Sequence, residues 1–336
     1  MKKIAILLVM FVGIFSCLMV GCGKKDNNTI RISEVTHSLF YAPLYVAMNN
    51  GYFEDEGLKI ELTNAGGSDT VMSSLISKSA DVGLMGPESC VYVRNNGMEN
   101  APVIFAQLTA CDGSFMVGRT DEGETFAWEN LKGKHVIAGR KGGMPAMTLQ
   151  YILEEIKGLT TGAELGNGVD VKLDTTIAFN LTTSSFVAGT GDYCTMFDPT
   201  ASQCEIDETG YIVAALGDEV KDVPYTCFVA TNSYLNNNGA KLDKFMRALK
   251  KGYNHLINAT DTQIISALKP SFSTTSDELI LASVKNYIRI GAYATSFELK
   301  ESSWNNMLDI IDNAGELKAR VDWNDAVNNS FAVKVN

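Results

Sequence analysis

Residues 30–62 read IRISEVTHSLFYAPLYVAMNNGYFEDEGLKIEL. The segment from Ile30 to Val35 alternates apolar, β-branched residues with polar ones, which predicts a strand; Ala42 to Asn49 has helical spacing, and Leu58 to Leu62 returns to strand character. The same rhythm continues outward. A helix is expected over Asp69 to Lys78, opened by Ser68, then a strand over Asp81 to Met85, a helix over Pro87 to Asn95 and a strand over Val103 to Leu108. Strand-helix-strand repetition with such short connections implies a parallel sheet covered on both faces, hence an α/β fold.

After Phe115-Met116-Val117-Gly118 the chain turns polar from Arg119 to Glu124, and a second series of the same type begins. His135 to Ala138, Val169 to Thr175, Asp192 to Met196 and Tyr211 to Leu216 read as strands. Pro145 to Lys157, with proline in its first turn, and Asn180 to Ala188 read as helices. Around Pro224 the chain returns to the first series, with Cys227 to Thr231 as a strand and helical patterns from Lys241 onward. The expected organisation is a first lobe over 30–118, an inserted lobe over 119–223 and a return to the first lobe over 224–336. The segments Thr109 to Arg119 and Gly217 to Thr226 are placed to be the hinge. There is no low-complexity region and no clear internal repeat.

Ahead of the lobes, Lys2 and Lys3 precede an uncharged apolar run from Ile4 to Val20, then Gly21 and Cys22. That arrangement predicts an export signal over 1–21, and the apolar run is at the short limit for spanning about 30 Å of hydrocarbon. The remaining 315 residues suit two lobes better than one core. Of 28 basic residues 26 remain after Lys2 and Lys3, against 39 acidic ones, a net of −13. So acidic a body disfavours nucleic acid. Cys90, Cys111, Cys194, Cys204 and Cys227 are odd in number with no C-x-x-C spacing. They indicate neither a disulfide framework nor a zinc site; they read as small buried residues, with pairing of Cys194 and Cys204 left open.

Ligands of open α/β sheets bind beyond the carboxyl ends of the strands, which names the loops that matter. They carry Phe40, Tyr41, Phe197 and Tyr225 as flat surfaces, Glu88, Asp112 and Asp198 as acids, and Lys141 as the main base. His37, Ser89 and Asn180 stand in the same loops. Gly66-Gly67-Ser68 and Lys141-Gly142-Gly143 precede helices, whose unpaired backbone donors suit an anion. Each residue has a structural alternative: Tyr41 and Phe197 as core aromatics, Asp198 as the start of a helix, Glu88 as a complement to a helix dipole. His135 and His255 read as structural. No G-x-S-x-G, H-E-x-x-H, G-x-x-x-x-G-K-[ST] or G-x-G-x-x-G occurs, and three histidines spread along the chain suggest no metal cluster. The absence of these motifs weighs against an enzyme without excluding one; no metal or cofactor is expected, and the chain is expected to be a monomer.

Two resemblances sharpen this. Met19-Val20-Gly21-Cys22 resembles the lipobox of bacterial lipoproteins, with methionine where leucine is usual. It implies that Cys22 is lipid-modified, that 22–29 is a tether and that the protein sits on the outer face of a membrane. The stretch from His37 to Leu62, Gly66-Gly67-Ser68-Asp69, Ala80-Asp81-Val82-Gly83, Gly86-Pro87-Glu88-Ser89 and Leu131-Lys132-Gly133-Lys134 resemble solute-binding proteins for thiamine precursors, alkanesulfonates and nitrate. The likeness runs from about Ile30 to Tyr234.

It implies the two-lobed periplasmic-binding fold, type II, which closes on a small-molecule ligand and presents it to an ABC permease and its ATPase. Gly191-Asp192-Tyr193-Cys194-Thr195-Met196-Phe197-Asp198-Pro199 puts aromatics, Tyr193 among them, and an acid at a strand end. With Glu88 and Asp112 opposite, carboxylates would repel an anion, which favours a planar nitrogen heterocycle, thiamine or its pyrimidine precursor. The alternatives are a sulfonate- or nitrate-type oxyanion and a pyrimidine-synthase-like enzyme on the same fold. A sensor or adhesion lipoprotein would look the same.

Overall fold

A computed structural model of the chain describes residues 28–335. The export signal, Cys22 and the first part of the tether lie outside the described residues. Among the described residues eleven strands form two sheets. In the first, β1 (Thr29–Glu34), β2 (Lys59–Asn64), β3 (Val82–Met85), β4 (Val103–Thr109) and β11 (Thr226–Ala230) lie in the order β2-β1-β3-β11-β4. The second holds β5 (Ser114–Gly118), β6 (His135–Ile137), β7 (Thr161–Gly162), β8 (Val171–Asp174), β9 (Tyr193–Phe197) and β10 (Tyr211–Ala215), ordered β10-β5-β9-β6-β8-β7. Each sheet is flanked by helices, giving the two-lobed α/β architecture.

Neither sheet is wholly parallel. β11 runs antiparallel to β3 and β4, and β5 runs antiparallel to β9 and β10. These are the strands that receive the chain as it passes between sheets. Each crossing leaves one sheet at a strand's carboxyl end and enters the other from the same side, so the first strand beyond it must run backwards. The crossings fall at 110–113 and 216–225. Ser114–Gly118 thus belongs to the second sheet, where the sequence reading had kept it in the first lobe. Phe115, Met116 and Val117 are fully buried, and a run buried on both faces carries no mark of which sheet it joins.

The last hundred residues serve both lobes rather than the first alone. Helix Gly239–Asn258 packs along Ala42–Asn49, while helix Glu301–Asn313 lies against Met144–Tyr151 of the second lobe, and Asp277–Arg289 against Thr200–Ile206. The helix expected over Pro145 to Lys157 is α-helical only to Tyr151 and continues as a wider π turn over Ile152–Ile156. All five cysteines of the described residues are free and buried. No helix among the described residues is long and apolar enough to cross a membrane.

Candidate functional site

The carboxyl ends of the parallel strands of both sheets face one another across a cavity of about 630 Å³, a size suited to a small organic ligand. The β/α architecture places its lining. Thr36 follows β1, Ser68 follows β2, Glu88 and Ser89 follow β3, Lys141 and Gly142 follow β6, Asn180 follows β8, and Phe197 ends β9. Tyr41 and Tyr225 complete this set.

Five other expected residues do not line the cavity. His37 is taken by structural bonds: Nδ1 is 3.0 Å from Glu34 Oε1, Nε2 is 2.9 Å from the Ser271 carbonyl, and the ring stacks on Phe272 at 4.6 Å. The buried Glu34, whose other oxygen accepts from Tyr45 at 2.6 Å, recruits it. Phe40 stands behind the wall, 5.4 Å from Phe197 and 5.8 Å from Tyr225, its ring pressed on Gly113. Tyr193 donates to Glu122 within the second lobe. Asp198 is fully buried and opens helix Thr200–Ile206, accepting from Ser202 N at 2.9 Å, Ser202 Oγ at 2.8 Å and Asn286 at 2.9 Å. Asp112 lies buried below Tyr225, with Oδ1 accepting from Ser114 N at 2.7 Å and Oδ2 unpartnered.

The cavity wall is aromatic. Phe179 meets Phe197 edge-on at 5.7 Å, and Phe197 lies 6.1 Å from Tyr225; Tyr41 and Tyr92 add two more rings. Set among them is the Glu88 carboxyl, 4% exposed, with Oε2 lacking a partner. Burial pushes this carboxyl up to about 8, and burial likewise pushes Asp112 up to about 6. A buried acid left half-satisfied is costly unless something else bonds it. Glu88 is thus poised to hold a proton, or to ionise against a cationic or hydrogen-bond-donating group.

Charge at the rim is paired, in one case across the cleft. Arg140 pairs with Asp69 at 3.0 Å and Lys141 with Glu316 at 3.3 Å, while Lys318 donates to Asn96 at 2.7 Å. Tyr92 reaches from the first lobe to the Gly142 carbonyl at 2.9 Å. Tyr92, Asp69, Arg140, Glu316 and Lys318 were not singled out from the sequence. Tyr92 lies on a helix flank and Glu316 beyond a C-terminal helix, where no strand-end rule points. Among the described residues no group of three His, Cys, Asp or Glu side chains could hold a metal.

Comparison with known proteins places this geometry in context. The family model described as NMT1/THI5 like matches residues 40–262. The chain is 37% identical over 318 residues to the "Putative binding protein YtlA" of Bacillus subtilis strain 168, covering 94% of this chain and 93% of that one. It is 26% identical over 228 residues to the 4-amino-5-hydroxymethyl-2-methylpyrimidine phosphate synthase of Aspergillus parasiticus, covering 65% and 63%. Among solved structures, the periplasmic nitrate-binding protein NrtA of Synechocystis PCC 6803 superposes with a TM-score of 0.70 over 92% of this chain and 88% of that one. At 14% identity, that likeness is one of fold.

Proposed function

This chain belongs to the NMT1/THI5-like family, and from that premise we propose that it is the solute-binding component of an ABC importer, lipid-anchored at Cys22 outside the cell, which carries a planar nitrogen heterocycle. Thiamine or its pyrimidine precursor is the favoured ligand. The observation that carries the ligand class is Glu88: a buried carboxyl with an unpartnered oxygen, on a residue that lines a cavity walled by Tyr41, Phe197 and Tyr225. Aromatic faces stack on a flat ring, and a carboxylate in a closed cleft recognises the ring's amino or cationic edge.

Fold and fold neighbour do not choose the ligand. NrtA shares the fold and its name gives nitrate, and one feature here favours an anion: helices Ser68–Ile76 and Met144–Tyr151 both begin at the cavity without a side-chain cap bond. Against it stand Asp69 and Glu88 in the first turns of Ser68–Ile76 and of Glu88–Asn95, which supply negative charge where an oxyanion would need donors. A carrier role is supported by the relative named as a binding protein over nearly the whole chain, whereas the synthase matches about two thirds of it. Native mass spectrometry of freshly purified protein tests the reading. An aromatic nitrogen heterocycle released chemically unchanged is expected; co-purified nitrate, sulfonate or a turned-over product would refute it.

A further inference from the structure

Six charged side chains line the cavity: Asp69, Glu88, Arg140, Lys141, Glu316 and Lys318. Arg140 and Lys141 stand immediately before helix Met144–Tyr151, whose first turn holds no acid and whose start has no side-chain cap. Two cations beside uncapped backbone donors are the makings of an anion site. Yet both cations are already engaged by carboxylates. Asp69 Oδ2 sits 3.0 Å from Arg140 Nη1, and Glu316 Oε1 sits 3.3 Å from Lys141 Nζ. The arginine also holds the Asp69 carboxyl below its usual range, so that carboxyl is ionised at neutral pH.

We propose that Asp69 and Glu316 are specificity-determining residues: as built-in anions they neutralise Arg140 and Lys141 and so exclude oxyanions from a cleft that would otherwise accept them. The proposal rests on the heterocycle reading above. Its logic is rejection by charge: an incoming anion must displace a carboxylate that already satisfies the guanidinium or ammonium group, and then face that carboxylate at close range. A neutral or cationic ring meets no such barrier. The Asp69–Arg140 pair is exposed, 60% and 61%, so it adds little to stability; Glu316 is half-buried at 28% and is therefore changed only to the isosteric glutamine.

The test is calorimetric titration of nitrate and taurine into the unmodified protein, Asp69→Asn, Glu316→Gln, the double variant, and the double variant carrying Lys141→Gln. The double variant should bind at least one of the two anions about tenfold or more tighter than the unmodified protein, with the gain shrinking as salt rises. Lys141→Gln should cancel the share of the gain that Glu316→Gln gives and leave that of Asp69→Asn. A melting curve checks that each variant is folded. Should the double variant melt early, each single change is expected to show a smaller gain in the same direction. A folded double variant that rejects both anions as firmly as its parent overturns the proposal and leaves the heterocycle reading standing. Tight nitrate or taurine binding by the unmodified protein overturns that reading itself.

Discussion

Glu88 concentrates the chemistry of the cleft in one carboxyl group. Its ordinary value of 4.5 is raised by burial to about 8. Between those two values only the folded chain keeps the proton, so Glu88 makes stability fall as pH rises from 4.5 to about 8, after which its effect is constant. Glu88→Gln should flatten that part of the stability profile, read as the urea midpoint between pH 5 and 8. A cationic ligand favours the ionised form, so thiamine should bind more tightly as pH climbs towards 8, and the same variant should weaken binding by about 1.5–3 kcal/mol. A pH-independent affinity unchanged by Glu88→Gln would remove Glu88 from recognition. The strand-end rule put Glu88, Tyr41, Phe197 and Tyr225 in loops that do line the cavity, because backbone topology alone fixes which loops meet. It could not tell an inward residue from an outward one. Asp198 and His37 sit in the right loops, but Ser202 and Asn286 claim the first and Glu34 and Ser271 the second, and of these Asn286 and Ser271 are far away in sequence.

Strands and helices followed the apolar pattern closely, since the period of burial dictates both. Ala42–Asn49 and the core of β4 fall where the spacing put them. Antiparallel β5 and β11 and the π turn at Ile152 were not legible, because direction and a one-residue bulge leave the pattern of apolar residues almost unchanged. Packing between elements is equally silent in sequence. Helix Gly239–Asn258 approaches Ala42–Asn49 so closely at Gly252 that a Cβ would stand 2.3 Å from the Pro43 carbonyl oxygen and 2.8 Å from Ala47 Cβ. Alanine at that position is ordinarily worth up to about 1 kcal/mol in a helix. Here the obstacle is backbone, which cannot swing aside, and Gly252→Ala should lower stability by about 1–3 kcal/mol by denaturant midpoint. A neutral or stabilising result would mean that the two helices separate easily.

Across the whole molecule, the two lobes touch through the Asp69–Arg140 pair and the Tyr92–Gly142 bond, and helix Glu301–Asn313 spans both. Ligand that joins the lobes should raise the melting temperature: at a hundredfold excess over Kd the gain is about 2.7 kcal/mol, or roughly 4 °C for a chain of this size. Binding without a smaller scattering radius would mean a rigid pocket. At the other end of the chain, Cys22→Ala should release the protein from membranes into the soluble fraction of a bacterial host. Retention of that variant would contradict lipid anchoring. The central claim is the ligand class, and calorimetric titration of the unmodified protein with thiamine, its hydroxymethylpyrimidine, taurine and nitrate tests it most directly. The account predicts saturable binding of at least one of the two heterocycles and none of taurine or nitrate; tight taurine or nitrate binding with no response to either heterocycle would contradict it.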